Sequence, residues 1–203
     1  MAKPGATSYR QTKYGILSRD KVIKLEVQGT KKGLQMLQKI AESSRHLTAE
    51  FINEIHKDCF GDIFQEDAGK FRTTQVTYSS KEAPHYSKLY EMMKNLCEDT
   101  EFALLHLPNK EDEGYISKLV EIIAHFQHRF VFIHPFVDYN GRMARLFTNY
   151  LLMRIGLPIT EIKVDSEADR KSYITALQKA DVGDYAEIED IIAESITESL
   201  QQA

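Results

Sequence analysis

Between residues 134 and 145 the chain reads His134-Pro135-Phe136-Val137-Asp138-Tyr139-Asn140-Gly141-Arg142-Met143-Ala144-Arg145, and nearly every polar member has a chemical use. Asn140 and Gly141 suit the start of a helix, where unpaired amide hydrogens and the positive end of the macrodipole gather anions. Arg142 and Arg145 are three apart and share a face of the first turns that follow. Cations at that end oppose the macrodipole at a cost of roughly a few tenths of a kcal/mol each. A phosphate chain resolves the conflict, because guanidinium forks match phosphate oxygens. Pairing with acidic side chains elsewhere in the chain resolves it equally. Asp138 suits Mg²⁺, which keeps several waters and otherwise binds phosphate oxygens, or it closes a local side-chain turn. His134 can accept a hydroxyl proton as a general base, or it can cap and pack a helix end. Together, His-Pro-Phe-x-Asp-x-Asn-Gly-Arg-x-x-Arg fixes eight positions. A chance match in a chain of this length is on the order of 10⁻⁸.

The flanking patterns supply two helices to hold this joint. Ile116, Leu119, Val120, Ile123, Phe126 and Phe130 recur at three- and four-residue steps from about Tyr115 to Ile133. Pro135 interrupts them. Periodicity resumes at Arg142 and runs to Ile155 through Met143, Leu146, Phe147, Tyr150 and Leu151, with Gly156 and Pro158 as stops. Upstream, Leu34, Leu37 and Ile40 have helical spacing. A further helix starts at the N-cap Thr48, carries Phe51, Ile52 and Ile55, and ends at Gly61. Helical patterning covers Ser87 to Leu105, Asp169 to Asp181 and Tyr185 to Leu200. Phe71 to Tyr78, with its β-branched and aromatic residues, reads as a short strand or hairpin ending in a turn at Ser79 and Ser80. Residues 1 to about 14 read as a loose polar lead-in with a turn at Pro4-Gly5. The sum is a mostly α domain with one small β element.

Composition narrows the partners. The chain has 203 residues, 42% of them hydrophobic, enough for one sizeable core. A formal charge of −4 argues against broad binding to nucleic acid. No apolar run approaches the ~20 residues that span a bilayer, so no membrane partner is expected. With two cysteines, Cys59 and Cys97, a disulfide framework is not expected; both read as small buried hydrophobes of a reducing compartment. The expected location is cytoplasmic, with a translocated effector as the other option.

The joint closely resembles the signature of the Fic (filamentation induced by cAMP) family, His-x-Phe-x-Asp/Glu-Gly-Asn-Gly/Lys-Arg-x-x-Arg. Ile55-His56, the run Ala68-Gly-Lys-Phe-Arg-Thr-Thr-Gln-Val76 and the stretch Tyr173 to Tyr185 are similar to other segments of that family. The resemblance implies a mostly α, Fic-type helical core with a short β-hairpin flap over residues 30–200, after a lead-in of residues 1–29. It also implies an enzyme that moves a nucleotide-derived group, most often AMP from the substrate ATP, onto a Tyr, Thr or Ser hydroxyl of a target protein. Carried over by position, His134 would be the base, Phe136 would hold the loop and Asp138 would bind Mg²⁺. Asn140, Gly141 and the adjacent amides would hold the α-phosphate, with Arg142 and Arg145 on the outer phosphates. Thr73, Thr74, Gln75, Val76 and Thr77 would form the flap that docks the target by strand addition.

Tyr139 departs from the signature, which has Gly there. Its side chain restricts the backbone of the amide cradle, and it narrows the pocket, stacks on a nucleotide base or points outward. Transfer of UMP, phosphate or phosphocholine is therefore the alternative chemistry, and a non-catalytic nucleotide-binding interaction protein the alternative class. Many relatives carry an inhibitory Ser/Thr-x-x-x-Glu-Gly/Asn helix whose glutamate pairs with the second motif arginine. Ser87 and Glu91 have that spacing, but Met92 follows. A separate small inhibitor protein, a divergent internal device, or no brake at all fits this.

Overall fold

The computed structural model describes residues 9–43 and 45–202. Among them the chain forms two small hairpins and seven helices in the order β1 (Tyr9–Thr12), β2 (Gly15–Ser18), α1 (Arg19–Ala41), α2 (Ala49–Phe60), β3 (Thr77–Tyr78), β4 (Lys81–Glu82), α3 (Leu89–Leu105), α4 (Tyr115–Ile133), α5 (Asn140–Arg154), α6 (Glu167–Ala180) and α7 (Ala186–Gln202). A short 3-10 turn at Tyr86–Lys88 leads into α3. No helix is long and apolar enough to cross a membrane among the described residues.

Helices α4 and α5 form the centre. The expected α4 stripe is buried at Leu119, Val120, Ile123, Phe126 and Phe130, while Ile116 in the first turn is exposed. All five expected positions of α5 are buried. Phe51 of α2 meets Phe147 of α5 edge-on at 5.4 Å and Tyr150 at 5.2 Å, the geometry that aromatic quadrupoles favour. Thr48 caps α2 by accepting a hydrogen bond from Phe51 N at 3.1 Å, as its residue type predicts. Both cysteines are buried, and burial pushes each thiol up to about 12.

Three expectations change. The polar lead-in of residues 1–14 is in part the antiparallel hairpin β1–β2, with Tyr9 opposite Ser18, and α1 crosses the expected boundary at residue 30. The turn at Pro4-Gly5 lies outside the described residues. Of the β element expected over Phe71 to Tyr78, only Thr77 and Tyr78 pair, with Glu82 and Lys81 across the expected turn at Ser79 and Ser80. The run before them fails as a strand because Arg72 draws the chain inward and bends it, as described below.

Helix α1 packs unusually close to α2. Val22, Glu26, Gly29, Gly33, Leu37 and Ala41 lie at three- and four-residue steps and are all buried. A Cβ on Gly29 would lie 2.0 Å from the Cys59 carbonyl oxygen, and one on Gly33 would lie 2.3 Å from Cys59 Sγ. The two glycines thus let the helix backbones approach, and the approach carries the Glu26 carboxylate toward the α4–α5 joint.

Candidate active site

The joint between α4 and α5 is a tight loop closed by Asn140. Its side-chain oxygen accepts from Phe136 N and its amide donates to Phe136 O, both at 2.9 Å. Asn140 was expected on a phosphate; with its side chain spent on the loop, its own backbone amide is what it offers an anion. Met143 N is the first amide of α5 to find a helical acceptor, Tyr139 O at 2.9 Å. The amides of Asn140, Gly141 and Arg142 therefore precede the hydrogen-bond ladder, at a helix start where the N-cap residue, Tyr139, makes no side-chain cap hydrogen bond. Phe136 is fully buried, as expected, and stacks on the His56 ring at 3.8 Å. His56 accepts from Gly69 N at 2.9 Å and meets Asp138 O at 3.4 Å; burial pushes its pKa down to about 4. It is a neutral strut between α2, the turn at Gly69 and the loop.

His134 ends α4 in the left-handed region, with φ of 51°. Its Nδ1 lies 3.2 Å from the Val131 carbonyl oxygen. A carbonyl can only accept, so Nδ1 carries the proton and Nε2 is left with the lone pair. Burial, above all, lowers the pKa of the ring; the Arg72 charge lowers it further, while the hydrogen bond to Val131 and the charge on Asp138 oppose both. The product is a neutral imidazole with a basic Nε2, the state a general base needs.

Arg72, missed as a functional group, fastens this arrangement. It is buried, and its guanidinium donates to His134 O (2.8 Å), Thr74 O (2.8 Å) and Pro84 O (2.6 Å). Its own amide donates to Pro135 O at 2.9 Å. Of the expected flap residues, Thr73 and Thr74 form the bend around that guanidinium. Gln75 donates from Nε2 to Ala83 O at 2.5 Å and Val76 O accepts from Ala83 N at 3.0 Å, closing the hairpin base. Thr77 alone of the five lies in a strand.

The two arginines part company. Arg142 donates from Nη2 to Glu26 Oε2 at 2.9 Å and lies 4.8 Å over the Tyr139 ring. Arg145 is largely desolvated, which lowers its pKa, and it lies beside the Tyr173 hydroxyl with Asp165 nearby. Glu26 also receives the Tyr139 hydroxyl at 3.0 Å and Arg19 Nη1 at 3.2 Å. Sequence reading missed Glu26; its signal was the stripe of small and apolar residues in which it is the one acidic member. Ser87 and Glu91 are both exposed and outside the cleft.

Tyr139 lines the cleft and does not point outward. It adopts φ of 66°, is 5% exposed, and turns its ring back onto Phe60 at 4.1 Å and Phe64 at 5.2 Å. Phe60 and the Arg142 guanidinium both lie against the ring.

These groups line a cleft of about 830 Å³ that His134, Asp138, Asn140, Gly141, Arg142 and Arg145 share with Tyr78 and Lys81 of the hairpin. Among the described residues no cluster of three or more His, Cys, Asp or Glu side chains converges on a metal-sized space. A magnesium ion held by one carboxylate and phosphate oxygens needs no such cluster, and Asp138, beside the helix start, fits that mode.

Helical core, hairpin and amide-lined joint define the class: a Fic-type fold. The Fic/DOC family profile matches residues 46–152, more than half the chain, and the chain belongs to that family. It is 33% identical over 175 residues to "Protein adenylyltransferase Fic" of Nematostella vectensis, covering 86% of this chain and 38% of that protein. It is 31% identical over 184 residues to "Protein adenylyltransferase fic-1" of Caenorhabditis briggsae, covering 87% and 33%. The chain thus spans roughly a third of these relatives. The structure of Fic-1 from C. elegans (residues 134–508) superposes with a TM-score of 0.69 at 27% identity, over all of this chain and 53% of that one.

Proposed function

We propose that the chain transfers AMP from ATP to a hydroxyl of a target protein. The adenylyltransferase names of its relatives support this. The single observation that carries it is the neutral imidazole of His134, with Nδ1 committed to Val131 O, in the same cleft as the start of α5, whose first amides precede the helical ladder. In this reading the target's oxygen attacks the α-phosphorus and its proton passes to His134 Nε2. The new O–P bond forms as the bond to the bridging oxygen breaks, and pyrophosphate leaves. The amides of Asn140 and Gly141 and the Arg145 guanidinium neutralise the phosphates, which is most of what phosphoryl-centre transfer requires. Asp138 would hold Mg²⁺, which when bound supplies charge neutralisation at the phosphates. The β3–β4 hairpin, with its base at Gln75 and Val76, docks the target chain.

Intact-mass analysis after incubation with ATP tests this. The wild type should add one AMP to itself or to a lysate protein, and His134→Ala should add none while keeping its helical content. Absence of any adduct in the wild type, or an undiminished adduct in His134→Ala, would reject it. Transfer from a donor with a shorter phosphate chain is the second reading, favoured by the engagement of Arg142 with Glu26; a panel of nucleotides in the same assay separates the two.

A further inference from the structure

The hairpin does more than stand beside the cleft. The Tyr78 ring lies flat on the His134 imidazole, with centroids 4.3 Å apart and planes 9° from parallel. The tip of that ring is fixed as well, since its hydroxyl donates to Phe132 O at 3.1 Å in the last turn of α4. Its carrier is anchored in turn. Lys81 of β4 lies 5.3 Å over the Tyr78 ring and makes an ion pair with Asp181 at the end of α6. Asp181 also accepts from His128 Nε2 at 3.1 Å, and His128 Nδ1 accepts from the Tyr185 hydroxyl at 2.8 Å.

An imidazole has two torsions to fix. The hydrogen bond from Nδ1 to Val131 O sets the tautomer, but at 3.2 Å it leaves the ring plane weakly held. Rotation about the second torsion of a histidine is broad, so a single hydrogen bond of this length leaves the ring free to tilt, and with it the direction of Nε2. A planar group stacked on one face restricts that tilt, keeps the hydrogen bond to Val131 O in place and shields the face from water.

We propose that Tyr78 is a positioning residue for His134: its ring, held by Phe132 O and by the Lys81–Asp181 pair, fixes the imidazole plane so that Nε2 faces the acceptor hydroxyl. This rests on the reading of His134 as the base. Chemistry is then coupled to the seating of the hairpin, because displacing Lys81 from Asp181 withdraws the ring that orients the base.

The test compares wild type, Tyr78→Phe and Tyr78→Ala by two readouts. Nitrogen-15 spectra of the His134 ring, taken on the full chain without nucleotide, should show a single Nδ1–H tautomer in wild type and Tyr78→Phe, and tautomer averaging in Tyr78→Ala. Labelling from ATP should show a turnover lower by about tenfold in Tyr78→Ala, the scale set by one aromatic contact. The KM for ATP should be unchanged, and Tyr78→Phe should restore most of the rate. A Tyr78→Ala protein that keeps the wild-type tautomer, or that labels at the wild-type rate, overturns the proposal. So does a loss appearing in the KM for ATP alone. His134→Ala, run in parallel, reports separately on the base itself: retained labelling there removes the reading beneath the proposal, whereas abolished labelling with an unaffected Tyr78→Ala removes only the role of Tyr78.

Discussion

Replacing Arg142 with alanine is the obvious test of phosphate binding, and the structure predicts that it also costs stability. The Glu26 side chain is 3% exposed and has three partners, Arg142 at 2.9 Å, Tyr139 at 3.0 Å and Arg19 at 3.2 Å. Breaking a buried ion pair from one side costs about 3–5 kcal/mol. Two partners remain to Glu26, so about 2–3 kcal/mol is the expected loss for Arg142→Ala. For a chain of this size that lowers Tm by about 4–12 °C. The reverse change is cheaper. Glu26→Gln leaves Arg142 and Arg19 with 35% and 57% of their side chains in water, where they are solvated, and should cost about 1 kcal/mol. The double variant should then be no less stable than Arg142→Ala, because the orphaned carboxylate is gone. Urea unfolding of the four proteins gives the coupling directly. Additivity within about 0.5 kcal/mol would refute the reasoning. Only in the Glu26→Gln background does an effect of Arg142→Ala on nucleotide affinity report on phosphate contact alone.

Other outcomes follow from the same contacts. Gly29→Ala should destabilise by about 3 kcal/mol or more in thermal unfolding, since its methyl would meet the Cys59 carbonyl, part of a backbone that cannot rotate away. Ser79 and Ser80 adopt φ of 45° and 64°, the paired left-handed angles of a two-residue hairpin turn, so Ser79→Asn with Ser80→Gly should stabilise the hairpin and slow its amide exchange. His56 is neutral and buried with its pKa at about 4, below its ordinary 6.5. The unfolded chain therefore binds that proton first, and stability present above pH 6.5 should fall as pH drops toward 4; the fall should be shallower in His56→Gln. Native Cys59 and Cys97, with thiols at about 12, should resist alkylation at pH 8 until urea unfolds the chain.

The helices were legible because their signals are local. Thr48 caps, Pro135 stops, and the apolar steps of Leu119 to Phe130 give α4 its buried face without reference to anything distant. The joint was legible as a set of residue types, yet not as a division of labour. Nothing in the residue types shows that the Asn140 amide closes the loop on Phe136, or that Arg142 leans on a carboxylate more than a hundred positions earlier. The second of these depends on how near α1 comes to α2, and that distance is set by missing side chains at Gly29 and Gly33. The strand expected over Phe71 to Tyr78 forms only at Thr77 and Tyr78 for a similar reason: β-branched residues favour extension, but the buried Arg72 guanidinium takes the Thr74 carbonyl and bends the chain before them. Tyr139 shows the limit most clearly, since its type gives no hint that Phe60 and Phe64 wait behind the loop to take its ring.

Arg72 binds carbonyl dipoles where most buried cations find a carboxylate. Its positive charge is therefore held in place without being cancelled, an arm's length from the imidazole it helps keep unprotonated. Lysine, with one nitrogen, cannot span three such oxygens, and a neutral residue would unpin both the bend and the end of α4. The clasp that roots the hairpin and the field that tunes the His134 imidazole are one and the same group, so neither can drift in evolution without disturbing the other.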